Sequence, residues 1–114
     1  MTAAYKLARP GQSAPVFAAL GDPTRLRLVA RLCAGEPLSI ARLTAGSQVT
    51  RQAITKHLVV LADAGLVRGT RRGREMLWQL EAKRLEETRR YLDSISKQWD
   101  EALGRLKLYV ERSK

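Results

Sequence analysis

From Glu81 to Val110 the chain carries a hydrophobic repeat that fits one long helix. Leu85, Leu92, Trp99 and Leu106 recur every seven residues, and Thr88, Ile95, Ala102 and Tyr109 stand three places after them, across four heptads. Such an a/d seam fixes this stretch of the chain as α-helix and leaves a stripe that must be covered by something else. A second copy of the chain can cover it, and Leu85, Leu92, Ile95, Trp99, Leu106 and Tyr109 are then the interface residues. Some of these side chains can instead pack on the body of their own subunit, which leaves a smaller interface.

The 80 residues before this helix read as short elements. Residues 1–13, with Pro10 and Gly11 and no apolar period, are expected to form a mobile N-terminal arm. Ala14 to Leu20 reads as a helix, and Gly21-Asp22-Pro23 ends it and starts the next, with Asp22 as N-cap and Pro23 in the first turn. This second helix runs to Gly35. Its stripe Leu26, Val29, Ala30 and Cys33 is read as the inward face, which makes Cys33 a small buried hydrophobe. Pro37-Leu38-Ser39 opens a short helix from Ile40 to Ala45, and Gly46-Ser47 turns the chain into the next one.

The stretch TRQAITKHLVVLADAGL, Thr50 to Leu66, reads as a helix with Thr50 as N-cap and Gly65 at its end. Ile54, Leu58, Leu61 and Ala62 form an apolar stripe. Gln52, Lys56 and Val59 lie opposite, with Arg51 and Thr55 near the start. Two short helices joined by a tight turn give a helix-turn-helix, whose second helix would present those donors to base edges in a DNA major groove. An ordinary amphipathic surface helix would show the same two faces. Leu66, Val67, Met76, Trp78 and Leu80 then alternate with polar residues, as two strands around a tip at Arg72-Gly73 would. Arg68, Arg71, Arg72 and Arg74 crowd this hairpin. Their single sign favours a wing that meets DNA phosphate over a hairpin whose charges only discourage edge pairing.

Charge supports a polyanionic partner. The net charge is +10, and residues 1–74 hold 12 Lys/Arg against 3 Asp/Glu, whereas residues 75–114 hold 9 against 8. No apolar run reaches the roughly 20 residues of a membrane span, and the start lacks a signal-peptide core, so a cytoplasmic protein without membrane contact is expected. The one cysteine excludes an internal disulfide and a Cys-rich metal site. His57, the single histidine, has no nucleophile motif beside it, so the chain is read as a non-enzyme without a cofactor.

With these elements in order, the sequence resembles the ArsR family of winged helix-turn-helix regulators. The resemblance lies in FAALGDPTRLRLVARL at Phe17–Leu32, GEPLSIARL at Gly35–Leu43, TRQAITKHLVVLADAGLV at Thr50–Val67 and RRGRE at Arg71–Glu75. It covers most of the chain, and the tail with Trp99 resembles a metal-independent branch. Metal-sensing members carry a cysteine pair where Ser39 and Ala41 stand here, and neither residue can act as a thiolate ligand. Others bind zinc between C-terminal helices through histidine, yet residues 81–110 hold none. Asp93, Asp100 and Glu101 read as solvated surface.

The expectation is therefore a mainly α protein: a winged helix-turn-helix domain over residues 14–80, with a two-stranded β-hairpin wing, continuous with a long dimerisation helix over 81–114. The resemblance implies a homodimeric repressor on palindromic double-stranded DNA, and its metal-independent branch implies no response to metals. Base contacts are assigned to Arg51, Gln52, Thr55 and Lys56. Phosphate and wing contacts are assigned to Thr50, Arg68, Arg71, Arg72 and Arg74. The alternative from another class is a basic helical interaction module that binds nucleic acid without sequence preference. RNA modules that read sequence usually show exposed aromatics on strands, and here only Trp78 is available, read as core.

Overall fold

Asp22 shows how local chemistry sets the architecture. Its carboxylate accepts hydrogen bonds from the backbone N–H groups of Thr24 at 2.9 Å and Arg25 at 3.1 Å, which starts one helix immediately after another has ended. In the computed structural model, which describes Gly11 and residues 13–113, these helices are α1 (Ser13–Leu20) and α2 (Pro23–Leu32). There follow β1 (Leu38–Ser39), α3 (Ile40–Thr44), α4 (Arg51–Asp63), β2 (Val67–Arg72), β3 (Glu75–Leu80) and α5 (Ala82–Arg112). The arm expected over residues 1–13 falls almost wholly outside the described residues. Ser13 already belongs to α1 and is buried.

The wing is part of a three-stranded antiparallel sheet in the order β1-β3-β2. A two-stranded hairpin was expected; β1 adds a third strand, pairing Leu38 with Trp78 and Ser39 with Leu77. In the sequence Leu38-Ser39 reads as the lead-in to a helix, because a two-residue strand is too short to show a period. The hairpin turns through Gly73-Arg74, one residue later than expected, with positive φ at Gly73 alone, as in a type II′ turn. Gly69 lies under the Trp78 ring: a Cβ there would stand 3.0 Å from the indole.

Val16, Leu28, Leu32, Leu43, Ile54, Leu58, Leu61, Leu66 and Trp78 form one core beneath this sheet. α4 ends in a Schellman motif: Gly65, at φ +80°, donates its N–H to the Ala62 carbonyl and Leu66 donates to that of Leu61, both at 2.9 Å. The inward face of α2 differs from the expected one. Leu28 and Leu32 are buried, Val29 is half-buried, and Leu26, Ala30 and Cys33 are exposed. Both stripes of α2 are apolar, so periodicity shows that it has two apolar faces without fixing which one points inward.

α5 uses its apolar surface in two ways. Thr88 is buried and Leu85, Tyr91 and Ile95 are half-buried. Leu85 packs on the core, and the rings of Tyr91 and Phe17 lie 5.9 Å apart. Leu92, Trp99, Leu103, Leu106, Tyr109 and Val110 are exposed, and every described residue from Trp99 onward is exposed. The carboxyl half of α5 therefore extends past the domain, within a molecule 64 Å long and 30 Å by 21 Å across.

Candidate nucleic-acid interface

The turn before α4 is built to present that helix's first turns. Gly46 takes a positive φ, Ser47 donates its N–H to the Thr44 carbonyl at 2.9 Å, and the Thr50 hydroxyl accepts from Ala53 N–H at 3.1 Å. Ile54, Leu58 and Leu61 anchor one face of α4 in the core, which leaves Arg51, Gln52 and Lys56 exposed on the other.

Arg51, Gln52 and Thr55 meet the wing across an open groove whose other walls are Ser39, Ile40 and Ala41 at the start of α3 and Arg71, Arg74, Glu75 and Met76 of the hairpin. Five of the residues predicted from sequence thus converge. Thr55 donates its hydroxyl hydrogen to the Arg51 carbonyl at 2.8 Å, which leaves its lone pairs and methyl group for a ligand. Lys56 is exposed one turn beyond Gln52, outside the groove lining, and Thr50 is exposed while serving as the cap.

The wing arginines separate by strand register. Arg71 pairs with Met76 and shares its face with Gly69 and Val67, toward α4, whereas Arg68 and Arg72 alternate to the opposite face. Arg72 stands near the tip beside Thr70, Leu77 and Gln79. Arg68 sits at the base of β2, where its guanidinium lies 3.7 Å from the Glu81 carboxylate, so it braces the junction between wing and α5. Ser39, Ala41 and Met76 completed the groove without any signal in the single chain. Their role follows from β1 pairing with β3, a contact between residues almost 40 positions apart.

His57 ties α4 to the helices behind it. Its Nδ1 accepts a hydrogen bond from the Arg25 guanidinium at 3.2 Å and lies 4.0 Å from the Asp22 carboxylate; Arg25 also donates its Nε–H to the Ala19 carbonyl. The backbone N–H of Arg25, with that of Thr24 and the charge of Arg25, holds the Asp22 carboxyl below the ordinary carboxylate value, against a smaller opposing effect of desolvation. His57 therefore fixes the seat of α4. Ser39, at one of the two positions where metal sensors carry cysteines, accepts from Arg42 N–H at 3.2 Å as the N-cap of α3. Among the described residues no three of His, Cys, Asp and Glu come together as a metal cage would require. No described helix is long and apolar enough to cross a membrane.

A helix-turn-helix that projects polar side chains beside a basic hairpin is the arrangement of a winged-helix DNA-binding regulator. A helix-turn-helix domain model matches residues 20–70. The chain is 41% identical over 70 residues to the HTH-type transcriptional regulator YuzN of Bacillus subtilis, covering 56% of this chain and 76% of that one. It is 38% identical over 69 residues to the transcriptional repressor SmtB homolog of Synechocystis, covering 60% of this chain and 52% of that protein. Among solved structures, an ArsR-like transcriptional regulator from Rhodococcus sp. RHA1 superposes with a TM-score of 0.70 at 36% identity, over 87% of this chain and 92% of that one. The chain belongs to the ArsR family of winged helix-turn-helix transcriptional regulators.

Proposed function

We propose that the protein is a homodimeric repressor that occupies a palindromic operator through the groove between α4 and the wing, without a metal effector. The observation that carries this reading is the convergence of Arg51, Gln52 and Thr55 with Arg71 and Arg74 on one open groove. Gln52 has the paired donor and acceptor that match adenine, Arg51 has the fork that matches guanine, and Lys56 lies one turn on from Gln52 along the same helix face. Arg71, Arg72 and Arg74 supply the cations that hold a phosphate backbone.

The dimer reading is supported by the bare stripe on α5. Leu92, Trp99, Leu103, Leu106 and Val110 share one side of that helix and are exposed in the single chain. A two-fold axis along this stripe would set both copies of α4 on one side, about 34–36 Å apart, where successive major grooves of a palindrome present themselves. Repression is supported by the likeness to the Synechocystis relative, a transcriptional repressor SmtB homolog. Independence from metal is supported by Ser39 and Ala41, which offer no thiolate.

Titration of the operator and of a random duplex at one stated salt concentration tests this reading. The operator is sought as an inverted repeat in the DNA flanking the gene. Gln52→Ala is expected to lose about 1–3 kcal/mol on the operator and almost nothing on the random duplex. Equal losses on both would remove the base-reading role and leave a basic module without sequence preference.

A further inference from the structure

A second groove opens at the turn that leads into α4. Thr24, Arg27 and Arg31 of α2 line it together with Ser47 and Gln48 of the turn and Ile54 of α4, and no wing residue takes part. Arg27 and Arg31 stand four residues apart on one face of α2, where two like charges repel each other. No carboxylate lines the groove, and neither arginine enters an ion pair among the described residues. Arg31 donates one N–H to the Leu43 carbonyl at 2.9 Å, which holds its guanidinium against the end of α3 and leaves its other donors free for a ligand. The Ser47 hydroxyl oxygen accepts from Val49 N–H at 3.0 Å, so its own hydrogen is available to donate outward. Arg27, Ser47 and Gln48 are exposed.

Two guanidinium groups, a hydroxyl and an amide, with no acid among them, suit an anion with several oxygens. A helix lying in a major groove about 12 Å wide has a phosphate strand on each side of it. The wing cations stand beside Gln52 and Thr55 on α4; Arg27 and Arg31 stand beside Ser47 and Gln48 of the turn that leads into α4, in a groove that shares no lining residue with the first. The geometry points to a second phosphate clamp, in which Arg27 and Arg31, with Ser47 and Gln48, grip the DNA backbone on the strand across the major groove from the one held by the wing. The inference rests on the DNA-binding reading above and adds to it the residues that hold the far strand.

The test uses the full-length protein and a short random-sequence duplex, with affinity measured across a range of salt concentrations. Arg27→Gln is expected to weaken binding about tenfold and to lower the slope of log affinity against log salt by about one unit for each protomer bound. Arg27→Lys should restore the slope, because it returns the charge. Gln48→Glu, an exposed turn position whose change leaves the helices intact, should weaken binding at least as much by placing a carboxylate against phosphate. On the operator, where the register is fixed, phosphate-ethylation interference should show Arg27→Gln losing contacts on one strand of each half-site while Arg71→Ala loses them on the other. Wild-type affinity and slope in both Arg27→Gln and Gln48→Glu, with Arg71→Ala still weakened, would overturn the clamp and leave the DNA reading standing. Failure of the wild type to bind any duplex at low salt would overturn both.

Discussion

Replacing Leu92 and Trp99 together by alanine separates the two uses that α5 makes of its apolar residues. Burying a large aliphatic or aromatic side chain contributes about 1.5–3 kcal/mol. In the single chain Leu92 remains 48% and Trp99 66% exposed. About half to two thirds of that contribution is thus still to be gained on association, about 0.7–1.5 kcal/mol for Leu92 and about 1–2 kcal/mol for Trp99. A two-fold interface counts each substitution twice, giving about 3.5–7 kcal/mol, or a dimer dissociation constant raised by roughly 300-fold to 100,000-fold. A nanomolar dimer would then have a dissociation constant between about 0.3 μM and about 100 μM, so that monomer becomes a major species at micromolar concentration. Sedimentation velocity reads that change directly. Circular dichroism should show the helix content almost intact, because Leu85, Thr88, Tyr91 and Ile95 still hold the first half of α5 to its own domain. Operator affinity should fall with the dimer, since one α4 then reads half a site. Light scattering that found the wild type monomeric at tens of micromolar, while it bound a palindrome tightly, would refute the reasoning.

Three further outcomes are expected. Asp22, whose carboxyl titrates below the ordinary value of 3.8, stabilises the fold fully above that value, and this stabilisation is lost as the pH falls through the lower folded-state value. The melting temperature of the wild type should therefore drop more steeply below pH 4 than that of Asp22→Asn, whose cap does not titrate, and parallel curves would discount the cap. Cys33 is exposed at the end of α2, so a thiol reagent should label it in the native protein without denaturant; protection until unfolding would contradict that placement. Zinc, cadmium or arsenite at low micromolar levels should leave operator binding unchanged, and stoichiometric zinc binding by calorimetry coupled to DNA release would overturn the metal-independent reading.

The features legible in the sequence are those set by near neighbours along the chain. Asp22 and Thr50 cap the helices that follow them because a side-chain oxygen needs only to reach backbone donors two or three residues away. Gly65 and Gly73 end a helix and turn a hairpin because each must take a positive φ that costs other residues strain. The inner face of α4 was likewise clear, since one side of that helix is apolar and the other polar near its start. Tertiary structure decided what such rules leave equal. α2 has two apolar faces, and packing against α1, α4 and the sheet selected Leu28 and Leu32 over Leu26 and Cys33. The seam of α5 is legible as a whole, but only the way the domain packs against the first half of that helix decided that Thr88, Tyr91 and Ile95 are covered while Leu92, Trp99 and Leu106 stay bare. Pairing of β1 with β3, and the alternation that sends Arg71 toward α4 and Arg68 and Arg72 away from it, depend on register between strands. Register is a long-range contact, and its stabilisation appears only once the chain has closed on itself.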